Sequence, residues 1–97
     1  MITEIAILNI KNQQSQEFEI NFSKAEKFIS KMSGYIHHEL LKCVEQEDKY
    51  LLVVRWKTLE DHTIGFRKSE EYIEWKKLLH RFYDPFPTIE YYTEVRF

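Results

Sequence analysis

Apolar positions along this chain fall into six blocks whose spacing switches between a period of two and a period of three to four. In residues 2–10, ITEIAILNI, the apolar residues are Ile2, Ile5, Ala6, Ile7, Leu8 and Ile10. Isoleucine dominates, and β-branched residues pack well on a pleated surface, so a strand is predicted. The apolar residues occupy both parities, so both faces of this strand are expected to be covered. Lys11 to Gln16 are polar, and then Phe18, Phe22, Ala25, Phe28, Ile29 and Met32 recur at three- and four-residue steps. That is one apolar stripe on a helix of about five turns. Glu17, Glu19, Lys24, Glu26, Lys27 and Lys31 form its solvated side. Ser33-Gly34 is expected to end the helix, with Gly34 in the left-handed cap conformation.

Residues 35–44 and 49–57 predict two strands, and the polar EQED between them predicts an antiparallel hairpin. Tyr50, Leu52, Val54 and Trp56 share one face of the second strand; Leu51, Val53, Arg55 and Lys57 share the other. Thr58 is placed to cap a helix, with Asp61 at the reciprocal capping-box position. Gly65 predicts a break or bend, and Ser69 restarts the helix with Glu70 and Glu71 in its first turn, where the dipole favours acids. Tyr72, Trp75, Leu78, Leu79 and Phe82 form its apolar face. Asp84-Pro85-Phe86-Pro87 stops it, because proline lacks an N–H and restricts its predecessor. Residues 88–97 alternate and predict a last strand.

Strand, helix, strand, strand, helix, strand is the order of an α+β, ferredoxin-like βαββαβ domain. Two helices then cover one face of a four-stranded sheet. The first and third strands are nevertheless apolar on both sides, and an exposed apolar face of that size marks an interface. Two copies packed sheet to sheet satisfy it, so a homodimer is expected.

Composition narrows the picture. Ninety-seven residues make one domain, 1–97. At 43% hydrophobic and 15% aromatic the chain is too apolar for disorder. Fourteen basic and sixteen acidic residues are interspersed, with net charge −2, so no stretch tracks phosphates and nucleic acid is not an expected partner. Cys43 is alone, which leaves no internal disulfide and no cysteine-based metal site. MITEIAILNIKN lacks the layout of a secretory signal, and no apolar run approaches the roughly 20 residues that span a bilayer. A soluble cytoplasmic protein with no membrane partner is expected.

The segments GYIHHEL, YLLVVRW, TLEDHTIGFRKSEEYIEWKKLLHRFYDPFP and IEYY together resemble the antibiotic biosynthesis monooxygenase family. The resemblance runs from about Ser33 to Tyr92, and the first strand and helix also fit. It implies a dimeric α+β barrel with a pocket between the helices and sheet of each subunit. It also implies a cofactor-independent oxygenase that oxidises anthrones, quinols or related phenolic rings with O₂. Its haem-cleaving branch carries an Asn on the first strand, a Trp at the start of the second helical region and a His further along. Here Asn9, Phe66 and Lys76 stand at those places, so the axial ligand is missing and haem cleavage is disfavoured.

Such a reaction needs a base to deprotonate a phenol or activated carbon, and histidine is the natural choice near neutral pH. His62 is the first candidate, one helical turn after Thr58 and one before Phe66, against the plain alternative of a surface helix histidine. Phe66, Trp56 and Tyr72 are candidate aromatic walls for a flat substrate, each otherwise a core residue. Asn9, the odd polar residue in an apolar strand, is a candidate hydrogen-bond donor to substrate or a water-exposed strand end. His37 and His38 are adjacent on a strand, so they point to opposite faces and are expected to be structural. No histidine–carboxylate spacing suits a metal, no nucleophile signature is present, and two glycines make no phosphate loop. No cofactor is expected; the expected partners are a small aromatic substrate, O₂ and a second copy. The competing expectation is a non-catalytic dimeric domain that binds a small hydrophobic ligand. A closed pocket with room for a bicyclic ring would favour the oxygenase, and a cavity filled by Phe and Tyr side chains the binding domain.

Overall fold

The computed structural model describes residues 1–97. Its elements are β1 (Ile2–Asn9), α1 (Ser15–Ser30), β2 (Tyr35–Lys42), β3 (Lys49–Trp56), a π-helical turn (Asp61–Phe66), α2 (Glu70–Leu79), a short 3₁₀ turn (His80–Phe82) and β4 (Ile89–Tyr92). The sheet order is β2-β3-β1-β4, with every neighbouring pair antiparallel. This is the ferredoxin-like α+β fold expected from the element order.

Parity along β1 and β3 sorts the side chains. Glu4, Ala6, Leu8 and Ile10 from β1 and its extension face the helices, as do Tyr50, Leu52, Val54 and Trp56 from β3. They meet Phe18, Phe22, Ala25 and Ile29 of α1, Trp75 and Leu79 of α2, and Phe66 and Phe82 between and beyond the helices. Burying a side chain of this size contributes roughly 1.5–3 kcal/mol, so this layer holds the domain together. The odd positions of β1 lie on the open face. Ile7 there is 48% exposed, and Leu41 of β2 is 47% exposed.

Several boundaries differ from expectation. α1 stops at Ser30, a turn before Ser33-Gly34, with Lys31 as its C-cap. Gly34 instead turns the chain into β2 with φ +84°, and a Cβ there would collide with the Asp61 carboxyl group. The expected break near Gly65 is a full π-helical turn rather than a kink. The Arg67 N–H donates to the His62 carbonyl, five residues back, at 3.0 Å. β4 ends at Tyr92, not at Phe97. Tyr92 pairs with Thr3, at the start of β1, so the chain beyond it has almost no strand alongside to bond. Val95 is 72% exposed there, and Phe97 is fully exposed.

Candidate functional site

The capping box read in the sequence sets the site's position. The Asp61 N–H donates to Thr58 Oγ1 at 3.2 Å, and the Thr58 N–H donates to Asp61 Oδ2 at 3.0 Å. The π-helical turn started by this cap buries His62 and Phe66, four residues apart, against the sheet. The Ser69 hydroxyl caps α2 by accepting from the Tyr72 N–H at 3.0 Å. That cap starts the helix that carries Tyr72 and Trp75 over the same region.

Beneath His62 lies Glu4, only 4% exposed, on a strand face otherwise made of aliphatic residues. Its cross-strand neighbours explain how a carboxyl group is held there. Glu4 sits directly opposite Tyr91 of β4 and opposite Val54 of β3, next to Trp56. The Trp56 indole N–H donates to Glu4 Oε1 at 2.9 Å. His62 Nε2 lies 3.5 Å from the same oxygen, and His62 Nδ1 lies 2.5 Å from the Tyr91 hydroxyl. Three strands and the π-helical turn thus converge on one polar cluster inside an aromatic shell.

Burial dominates its electrostatics. Desolvation raises the Glu4 pKa to about 7, against smaller opposing effects of the Trp56 hydrogen bond and the Arg67 charge. Desolvation lowers the His62 pKa to about 4, reinforced by Arg67. His62 is therefore neutral at physiological pH and a weak base. Of the two groups, Glu4 has the pKa nearer neutrality. Tyr91 is raised above the usual phenol value, first by burial and then by the Glu4 charge. His80, across the cavity, is lowered to about 4 by burial and by Lys76 and Arg67.

A cavity of about 50 Å³ lies beside this cluster. Glu4, His62, Phe66, Tyr72, Tyr83 and Phe86 are among its lining residues, with Arg67 and His80. It has space for a few water molecules, whereas pockets for small organic ligands run to roughly 300 Å³ and more. Phe86, 60% exposed, stands at its outer end. A larger hollow of about 560 Å³ lies on the open face, lined by Met1, Thr3, Arg55, Tyr92 and Arg96. It is a crevice between the bare sheet and the unpaired tail, on the opposite face of the sheet from the buried acid–base groups, and is not the candidate site.

Of the candidate residues, His62, Phe66 and Tyr72 come together on the cavity wall. Trp56 is fully buried behind the wall, where it holds Glu4. Asn9 lies elsewhere: it has odd parity, lines a groove on the open face with Ile5, Ile7 and Pro85, and does not reach the cavity. Glu4 was overlooked in the sequence, although the signal was there as a single carboxylate among Ile2, Ala6, Leu8 and Ile10. His37 and His38 point to opposite faces as expected. His38 bonds the Tyr35 hydroxyl at 2.5 Å through Nδ1 and Glu26 Oε1 at 2.8 Å through Nε2, tying β2 to α1. No group of three or more His, Cys, Asp or Glu side chains is arranged to hold a metal ion.

The family model described as antibiotic biosynthesis monooxygenase matches residues 1–78. The chain is 59% identical over 95 residues to the uncharacterized protein YczJ of Bacillus subtilis (strain 168), covering 98% of this chain and all of that one. A Bordetella bronchiseptica crystal structure carrying the same family designation is 27% identical, with a TM-score of 0.93, over 98% of this chain and 97% of that one. SnoaB of Streptomyces nogalater, a cofactor-independent oxygenase, shares the fold at a TM-score of 0.84 and 14% identity, over 99% of this chain and 94% of that one.

Proposed function

This chain belongs to the antibiotic biosynthesis monooxygenase family, and from that premise we propose that its cavity deprotonates a small hydroxylated aromatic or quinol-like molecule for oxidation by O₂ without a cofactor. One observation carries the reading: a buried carboxyl group with a pKa of about 7 sits on the wall of an aromatic-lined cavity, backed by a neutral histidine. Perturbed titratable groups of this kind gather at functional sites. A base with a pKa near the working pH combines the right protonation state with adequate driving force. In this reading Glu4 takes the phenolic proton. Arg67 and the aromatic walls hold the resulting electron-rich anion, which passes an electron to O₂. Phe66 and Tyr72 stack on the ring.

The volume of the cavity favours a second reading. At about 50 Å³, among its own aromatic side chains, it is too small for a bicyclic ring unless the lining moves. A domain that binds a small hydrophobic ligand without turning it over fits that closed state.

Oxygen consumption with a panel of hydroquinones and anthrones separates the two. The wild type is expected to consume O₂ with at least one of them. Glu4→Gln is expected to lower the rate about 100-fold, within the usual range for losing a general base, and His62→Ala is expected to lower it less. No uptake across the panel, or uptake indifferent to Glu4→Gln, removes the catalytic reading. A ligand-dependent rise in Tm without uptake then supports the binding domain.

The working unit in this proposal is a homodimer. Ile5, Ile7, Leu41, Leu51 and Tyr92 form an apolar surface on the open face of the sheet, and residues 93–97 extend beside it without a strand partner. A second copy of the chain covers that face and gives the tail a neighbour.

A further inference from the structure

We propose that Glu4, His62 and Tyr91 form a proton relay from the cavity to the β4 edge of the sheet, in which His62 passes protons by exchanging its ring tautomer without becoming charged. This deepens the reading above and rests on it for its use in catalysis, although the relay itself can be observed without substrate.

Connectivity carries the inference. His62 Nδ1 is hydrogen-bonded to the Tyr91 hydroxyl, and Nε2 faces Glu4 Oε1 at 3.5 Å, within reach of it but not yet bonded. Glu4 lines the cavity, whereas Tyr91 does not and stays half-buried on the edge strand. The three side chains therefore lead from inside to outside, each on a different element. Glu4 also presents a free acceptor. Its Oε1 accepts from Trp56 and faces His62, while Oε2 has no hydrogen-bond partner in the protein. No side-chain oxygen or nitrogen is both sealed from solvent and unpartnered, so Oε2 opens on the cavity. One oxygen is thus left for a ligand and the other belongs to the relay.

The proton balance closes. With Glu4 protonated, its O–H donates to Nε2, and the Nδ1–H donates to the Tyr91 oxygen. On ionisation Nε2 gains the Glu4 proton, the Nδ1 proton passes to Tyr91, and the original Tyr91 hydroxyl proton leaves to water. Three protons are held before; two are held and one released after. The imidazole is neutral at both ends, in keeping with its desolvated setting. The 3.5 Å gap between Nε2 and Oε1 exceeds a hydrogen bond by a few tenths of an ångström, so the ring must swing inward for transfer. The relay lets Glu4 exchange its proton with solvent while a ligand blocks the cavity mouth.

The other groups around this path are few. Arg67, from the end of the π-helical turn, favours the ionised Glu4 and the uncharged His62. Tyr83 before β4, and Tyr72 and His80 from the α2 side, line the cavity opposite Glu4. Tyr83 is pushed up by burial, and His80, with a pKa of about 4, is uncharged near neutrality. α1 contributes only Ile29 to the lining.

The test is a pH series of long-range ¹H–¹⁵N and carboxyl-¹³C spectra on ¹³C,¹⁵N-labelled, ligand-free protein, from about pH 5 to about pH 9, a range that brackets the Glu4 transition. His62 is expected to change from the Nδ1–H to the Nε2–H tautomer with the same midpoint as the Glu4 carboxyl carbon, near pH 7. Glu4→Gln is expected to abolish the change, and Tyr91→Phe to deplete the Nδ1–H form by removing its acceptor. A His62 tautomer that stays constant in the wild type while Glu4 titrates overturns the relay, as does an unchanged switch in Glu4→Gln. Because the wild type alone decides the matter, a variant that fails to fold does not obscure it. A working switch without oxygen uptake leaves the relay and removes the oxygenase reading; uptake with a constant tautomer does the reverse.

Discussion

Glu4 concentrates the conflict between stability and chemistry in this domain. A carboxyl group buried on an aliphatic strand face is tolerated when neutral and resisted when charged, because the ionised form loses far more hydration free energy on burial. Its folded-state pKa of about 7 lies above the ordinary 4.5, so the folded state binds more protons between those values. Its contribution to stability is full below pH 4.5 and is lost as pH rises through about 7. His62 works in the other direction. Its pKa of about 4 lies below the ordinary 6.5, so its contribution is present above pH 6.5 and is lost as pH falls through about 4. Glu4→Gln keeps an acceptor for the Trp56 indole and removes the charge. Urea denaturation is expected to show this variant more stable than wild type by on the order of 1–3 kcal/mol at about pH 8, with the gain shrinking towards about pH 5. An equal difference at both pH values would mean that Glu4 is not ionising in the folded chain.

Two short turns determine where the site's side chains can be. Gly34 leads into β2 with a positive φ and lies against the Asp61 carboxyl group, which itself caps the start of the π-helical turn. The cap and the β2 turn are thus one packed unit, although Gly34 and Asp61 stand 27 positions apart in the chain. Gly34→Ala adds left-handed strain of roughly 1–2 kcal/mol and displaces a cap worth about 1 kcal/mol. A loss of about 2–3 kcal/mol in denaturant unfolding is expected, together with shifted amide resonances at His62 and Phe66. Thr58→Ala, which removes only the hydroxyl half of the cap, is expected to lose about 1 kcal/mol. If Gly34→Ala costs no more than Thr58→Ala, the close approach to Asp61 is not constraining the turn.

At the scale of the whole molecule, the helices seal one face of the sheet and leave the other bare. Ile7 is the sharpest probe of the bare side, because it stands on a central strand, is half exposed and touches nothing in the cavity. Ile7→Glu places a charge in the middle of the proposed dimer interface. Sedimentation is expected to show a dimer for wild type and a monomer for Ile7→Glu at micromolar concentration, with the far-UV spectrum preserved. A wild-type monomer under those conditions would remove the sheet-to-sheet assembly. No helix is long and apolar enough to cross a membrane.

Local pattern alone determined the element order, the two helix caps at Thr58 and Ser69, the hairpin and the apolar stripes. Each depends on contacts within a few residues or on a period imposed by backbone geometry. The same reading brought His62, Phe66 and Tyr72 to one place, because helical spacing already puts His62 and Phe66 on one face. It overextended β4, since alternation signals a willingness to pair but cannot supply a strand to pair with. It left Asn9 open between a pocket donor and an exposed strand end, although its parity already matches the open face. It passed over Glu4, whose meaning comes from neighbours up to 87 positions away in Tyr91. Only the tertiary structure decided which carboxyl group is desolvated, which histidine is therefore uncharged, and how much room remains beside them. Those are properties of the assembled surroundings, set by how closely distant side chains close over a polar group.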